Sequence, residues 1–293
     1  MKKIKVGYCV AYDWEMLRYS LPQVYQGADE VCLALDKNLV SWTGNPFDMD
    51  EEAFLQFVRE IDTANKIKVY RDNFFIRELS PMQNEVRQRN MIASFMKDAQ
   101  EAWYIQLDAD EYFLNFASFL RHLGQLKPKR NINVCVPFLI LFKQVHEGFL
   151  YISNDSLSKQ EMIPVATNNP HYEFGRKNGY FNVITNDTVI HQSWARSSEE
   201  IRLKLSNWGH NTDFDVQEYY KTWEQLSGNN YTSFRNFHPF KASEWEKLRL
   251  LKAGSIEELV QQYKEEDFFN ISKLRILLKN SIWFSRLKKL LGR

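Results

Sequence analysis

A chain of 293 residues, 44% hydrophobic and 26% charged, has room for one large domain or for a domain with an appendage. A formal net charge of +1 excludes a protein that meets nucleic acid or membrane through its overall charge. The longest apolar run, VCVPFLILF at residues 134–142, is too short to cross a bilayer.

The first strand is expected in IKVGYCVAY, apolar and β-branched. A helix follows in WEMLRYSLPQVYQGADE and has to bend or stop near Pro22. VCLALDK is a short second strand ending at Asp36, and the turn-rich SWTGNPFDMD is a loop. EEAFLQFVREIDTAN is helical, with Phe54, Phe57, Val58 and Ile61 on one side, and KIKVYRDNFF is a third strand. Ser80, Pro81 and Gln83 spell a helix start with a capping box. The helix that begins there carries Arg87, Arg89 and Asn90. WYIQLDADE is then a fourth strand.

Strand and helix therefore alternate over about the first 110 residues, which implies parallel strands joined by right-handed crossovers. Beyond that the order loosens. FASFLRHLGQL is helical, NVCVPFLILFK is a strand, and residues 151–190 are mixed, with a strand ending near His191. Ser197 and Glu200 form a second capping box before a helix with Ile201, Leu205 and Trp208 on its apolar side. VQEYYKTWEQL and SIEELVQQYKE are further helices. In the tail ISKLRILLKNSIWFSRLKKLLGR, the apolar stripe Ile271, Leu274, Leu278 and Ile282 changes phase to Trp283, Leu287 and Leu290, so a break is expected near Asn280. All its charged residues are basic. Two readings stand: a helix packed on the domain, and a peripheral anchor on anionic lipid.

Cys9, Cys32 and Cys135 are far apart and form no CxxC pair, which argues against a thiolate zinc site and for free buried thiols. The compartment expected is the cytoplasm. MKKIKVGYCV has the charge of a signal peptide without its apolar core.

The chemistry concentrates in EAWYIQLDADEYF. A buried strand ends abruptly in Asp108, Asp110 and Glu111, which repel one another unless something positive sits among them. Acids at i and i+2 share one face of a strand, and at its end they can hold a hard divalent cation through oxygen. A neutral imidazole suits Mn²⁺, and His191, at the end of a later strand, is the best third ligand, with His210 as a substitute. The competing reading is a structural network of Asp108 and Asp110 with Arg87 and Arg89. Arg89 can equally pair with Glu85 one helical turn away. Trp194 and Trp208 read as core or as sugar-stacking platforms.

WYIQLDADE, preceded by RQRN on a capped helix, resembles nucleotide-sugar glycosyltransferases of the GT-A fold, and bacterial members of glycosyltransferase family 2 in particular. HQSWARSSEEIRLKLSNWGHNTDF is similar to the segment that follows the sugar site in many of them. The resemblance spans residues 4 to about 225. It implies an α/β fold of GT-A (Rossmann-like) type, a mixed, mainly parallel sheet flanked by helices, in residues 1–240. Residues 241–293 would be a helical C-terminal extension.

By that resemblance, Asp108 lies near the ribose and the metal, Asp110 ligates Mn²⁺ or Mg²⁺, and His191 completes the metal site. Asp36 hydrogen-bonds the base, Tyr12 lies near the nucleotide, and Arg89 and Asn90 support the diphosphate or the acidic loop. The implied partners are a nucleotide-sugar donor, UDP first, and a glycan or lipid-linked saccharide acceptor, as in surface polysaccharide synthesis. The basic tail, residues 271–293, would meet the inner membrane face. The Glu-Asp pair that often supplies a general base in this family is absent, so Glu173, Asp187 and Glu147 are candidates by charge alone. Two readings from other classes compete. A sugar nucleotidyltransferase would want a Gly-rich phosphate loop that VGYCVAYDWE lacks. A non-catalytic glycan-binding protein on a transferase scaffold would use the many Trp and Tyr residues.

Overall fold

The computed structural model describes residues 2–156, 159–207 and 215–281. Its frame is a mixed sheet whose strands lie side by side in the order β11 (Lys247–Leu251), β7 (Gly148–Ser153), β6 (Ile132–Val145), β8 (Met162–Thr167), β4 (Ala102–Asp108), β1 (Lys3–Val10), β2 (Glu30–Asp36) and β3 (Ile67–Asp72). The strands β1 (Lys3–Val10), β2 (Glu30–Asp36), β3 (Ile67–Asp72) and β4 (Ala102–Asp108) form a wholly parallel block. The helices α1 (Leu17–Tyr25), α2 (Glu51–Ile61) and α3 (Pro81–Met96) connect them. This is the α/β alternation expected. The first helix passes through Pro22 rather than stopping there. The bond Pro22 forgoes would run to the carbonyl of Arg18, in the first turn, where little of the helix ladder is lost.

Both faces of the parallel block are covered, so its strands read as nearly continuous apolar runs. On one face Val6, Leu33 and Leu107 join the main core with Phe54 and Phe57 of α2. On the other, Cys9, Cys32, Ala34 and Tyr104 pack under Ile92 and Met96 of α3. All three cysteines are buried and unbridged. Gly7 marks how closely α3 lies on β1: a Cβ there would come within 2.5 Å of Ile92 Cγ2.

The second half is built on β6 (Ile132–Val145), the long strand foreseen around residues 133–143. It pairs antiparallel with β7 (Gly148–Ser153) and β8 (Met162–Thr167), and parallel with β9 (Phe181–Ile184) and β10 (Val189–His191). A short strand, β5 (Glu111–Phe113), runs antiparallel to β10. The helices here are α4 (Phe116–Gln125), α5 (Ser198–Asn207) and α6 (Val216–Gln225).

The extension expected to be helical from residue 241 contributes a strand first, β11 (Lys247–Leu251), which continues the sheet beside β7. Trp245 and Leu248 belong to the main core. The helices α7 (Ile256–Tyr263) and α8 (Lys273–Asn280) follow. The last of these ends at Asn280, where the apolar stripe changes phase. Asn280 is tied to β9 in both directions: its Oδ1 accepts from Ile184 N at 2.7 Å and its Nδ2 donates to Ile184 O at 2.9 Å. Trp208, His210 and residues 282–293 lie outside the described residues, and with them the expectations placed there. Among the described residues no helix is long and apolar enough to cross a membrane.

Candidate active site

The carboxyl ends of β1, β2 and β4 open on a cleft of about 440 Å³. This is where a parallel α/β sheet exposes backbone and loop groups to a ligand. Six carboxylates line it, from Asp13, Asp36, Glu85, Asp108, Asp110 and Glu161, against the side-chain cations Arg196 and Lys204. His191 and Ser193 stand on the floor beside them.

The turn after β4 splits the acid cluster in two directions. Asp108 is clamped by Arg89 of α3, whose Nη2 donates to its two oxygens at 2.9 and 3.0 Å. Arg89 also holds Glu85 at 3.0 Å through Nε. From the other side Arg176 Nη2 donates to Asp108 Oδ2 at 3.0 Å and to Glu111 Oε1. Arg176 sits in a tight turn in which Gly175 takes φ +56°, a left-handed conformation that suits glycine. Burial opposes the charge on Asp108, but Arg89 and Arg176 outweigh it and hold the carboxyl below its usual range. Glu111 is more deeply buried, and there burial wins over Arg176 and pushes the carboxyl up.

Asp110 points into a second group. Arg196 Nη2 donates to its Oδ2, Lys204 Nζ reaches the same atom at 3.4 Å, and His191 Nε2 lies 3.6 Å away. Sheet pairing brings His191 there: it is opposite Glu111 in the β5–β10 ladder, and Gln192 N donates to Asp110 O at 2.9 Å. Arg196 also binds Asp13 Oδ2 at 3.1 Å, and Lys204 donates to Ser193 Oγ at 3.0 Å. Burial alone would raise Asp110, yet His191, Lys204 and Arg196 hold it well below the ordinary value. The capping box of Ser197 and Glu200, present as foreseen, starts the helix that delivers Lys204.

The two ends of the cleft differ in character. At one end Trp42 is half-buried, with Nε1 donating to Gln88 Oε1 at 2.6 Å and its carbonyl accepting from Asn84 Nδ2 at 3.2 Å. Tyr12 and Phe47 meet edge to face beside it, with centroids 6.2 Å apart. At the other end Trp194, His238, Phe240 and Trp245 make an aromatic wall, with the His238 and Trp245 rings 4.5 Å apart. Glu161 stands in the lining there, half-buried, and burial pushes its carboxyl up.

Tyr12, Asp36, Asp108, Asp110 and His191 all line this one cleft. Asp36 is there with much of its capacity used: Oδ1 accepts from Asn38 N at 2.9 Å and Oδ2 from Phe74 N at 2.8 Å. Arg89 is buried behind Asp108 and is not part of the lining. Both of its expected partners, Glu85 and Asp108, are real, whereas Arg87 binds the carbonyls of Asn73 and Phe74. Asn90 clamps the backbone of Tyr172, donating to its carbonyl at 2.9 Å and accepting from its N–H at 3.0 Å. None of the three base candidates lines the cleft. Glu173 is exposed and lies 3.7 Å from His171, and Asp187 is buried against His122 Nδ1 at 2.6 Å. Glu147 is also absent from the lining.

The donor set expected for a metal assembles in part. Asp110 and His191 converge at 3.6 Å, close enough for one ion to bridge them. Asp108 does not join them, because its oxygens are directed to Arg89 and Arg176. Among the described residues no three His, Cys, Asp or Glu side chains are placed to hold one ion.

No protein-family model and no curated protein matches the chain. Several solved structures are similar to it at low identity. A 4-diphosphocytidyl-2C-methyl-D-erythritol synthase from Anaerococcus prevotii is 11% identical, over 100% of this chain and 97% of that one, with a TM-score of 0.34. S. aureus TarS 1-349 is 14% identical, over 99% and 92%, with a TM-score of 0.33. UDP-glucose pyrophosphorylase complexed with UDP-glucose is 11% identical, over 58% and 77%, with a TM-score of 0.30. Likenesses this distant carry no argument about activity.

Proposed function

We propose that this protein is a GT-A-type glycosyltransferase that moves a sugar from a nucleotide-diphosphate donor to a hydroxyl of a glycan or lipid-linked saccharide. The observation that carries the reading is the carboxylate-rich cleft at the ends of the parallel strands, in which Asp110 and His191 converge beside Arg196 and Lys204. Trp42 and Tyr12 offer a flat aromatic face for a nucleoside, with UDP as the first choice, and Asp36, its oxygens held by the N–H groups of Asn38 and Phe74, braces the loops beside them. Arg196 and Lys204 face the place where the leaving diphosphate gains charge, and fixed cations in a water-poor cleft stabilise such a leaving group. Bound Mn²⁺ or Mg²⁺ would supply further neutralisation, with Asp110 and His191 as its ligands and Asp108 as part of their support.

The exposed Leu274, Leu277 and Leu278 of α8, flanked by Lys273, Arg275 and Lys279, suit peripheral contact with an anionic bilayer. Residues 271–293 would then bring the enzyme to lipid-linked acceptors at the inner face. Loss of liposome binding on deleting them is the expected result.

Calorimetry with UDP, GDP and dTDP, each with and without Mn²⁺, tests the main reading. UDP is expected to bind at least about tenfold more tightly with Mn²⁺ present, a difference of about 1.4 kcal/mol. Absence of binding by every nucleotide would leave a glycan-binding protein as the better account. Release of pyrophosphate from UTP and a sugar 1-phosphate would instead mark a nucleotidyltransferase.

A further inference from the structure

The carboxylates of the cleft are not equivalent. Asp13 and Asp110 bind Arg196, Glu85 binds Arg89, and Asp108 is shared by Arg89 and Arg176. Asp36 is occupied by backbone N–H groups. Glu161 is the exception: among the described residues no Lys or Arg stands within ion-pair distance of it. Its backbone is fixed, since Phe138 N donates to Glu161 O at 3.0 Å, just where β8 begins beside β6. On the opposite edge of β6 lies β10, which ends in His191, and Ile140 between them lines the cleft as well. Glu161 therefore looks across one strand toward the Asp110–His191 pair, with the aromatic wall of Trp194, Phe240 and Trp245 around it. Among the described residues, the one side chain that reaches its carboxylate as a donor is the indole of Trp245, whose buried Nε1–H approaches it in a loose geometry.

We infer that Glu161 is the proton acceptor that activates the nucleophile, a role that rests on the transferase reading above. A carboxylate already neutralised by a guanidinium is a weak base, and one open to the cleft beside apolar rings is a better one. In the transfer, an acceptor O–H gives its proton to a Glu161 carboxylate oxygen as its oxygen bonds to the anomeric carbon. The bond from that carbon to the diphosphate oxygen breaks, and its electron pair leaves on the diphosphate at the Arg196–Lys204 end. Base on one side and leaving group on the other imply inversion at the anomeric carbon. The aromatic wall beside Glu161 is then the acceptor side of the cleft.

Water serves as the acceptor in the test, so no saccharide has to be known. Hydrolysis of UDP-sugars is followed by UDP release in wild type, Glu161→Gln and Glu161→Asp, with UDP affinity measured in parallel. Glu161→Gln is expected to keep UDP affinity within about twofold and to lose about 100-fold or more in hydrolysis. Glu161→Asp should recover part of it. Sodium azide, which attacks without a proton to lose, should raise turnover by Glu161→Gln toward the wild-type value.

Hydrolysis by Glu161→Gln at the wild-type rate overturns the assignment. Loss of UDP affinity without azide rescue also overturns it, because Glu161 would then be structural. Wild type that binds UDP yet releases none from UDP-sugars in water or azide overturns it as well. Wild type that binds no nucleotide at all removes the transferase reading itself.

Discussion

Asp108 and Asp110 stand two residues apart, yet their surroundings assign them different work. Asp108 is sealed from behind by Arg89 and Arg176, both buried, and its charge is spent joining α3, β4 and the turn at residues 174–177. Asp110 faces forward, and its cations come from segments that form the cleft floor, Arg196 just after β10 and Lys204 in α5. The lesson is that an Asp-x-Asp pattern need not act as a pair of equals. The first acid organises the protein, and the second organises what the cleft offers to a ligand.

The sharpest way to break that distinction is on the structural side. Arg176→Met leaves Asp108 and Glu111 without a shared cation, and removing one partner of a buried pair costs about 3–5 kcal/mol. Urea denaturation should show a loss of that size, with partial recovery when Glu111→Gln is added. A loss below about 1 kcal/mol would mean that Asp108 is not a structural anchor.

The opposite outcome is expected on the cleft side. Lys204→Met should leave the unfolding midpoint nearly unchanged, since Asp110 keeps Arg196, but weaken UDP binding by about tenfold, or 1.4 kcal/mol. Equal UDP affinity in calorimetry would move the diphosphate away from this floor.

The smallest effect concerns pH. The folded protein holds Asp108 below its ordinary value of 3.8, so the stability it contributes is present in full above that value. It is lost as pH falls through the folded value, because the unfolded chain takes up the proton first. The stability gap between wild type and Asp108→Asn should therefore be level near neutrality and shrink in acid. A gap that stays constant down to about pH 2 would contradict the pairing.

The parallel block was readable because each strand is an apolar run and each helix start carries local chemistry, as at Ser80 and Gln83. Tyr12, Asp36, Asp108, Asp110 and His191 all lie at or just past strand ends, which is what makes their shared place in the cleft legible in the sequence. Arg176 and Arg196 reach the acids from 65 and 86 positions away, with no local pattern in the sequence to mark them. Glu161 was hidden for a similar reason, in a region whose pairing with β6 depends on long-range contacts. Glu173, Asp187 and Glu147 stand out in the sequence by charge alone, and charge does not report direction.

The double tie between Asn280 and Ile184 sets a geometric limit on reach. Ile184 is paired with Cys135, and the cleft residue Ile140 lies five positions further along β6. At about 3.3 Å per residue, the point from which the tail departs is offset along the strand by about 17 Å from the cleft floor. The end of α8 is therefore a fixed point on the sheet set well away from the cleft, so a change at Asn280 acts on the β6–β9 pairing rather than on the cleft lining.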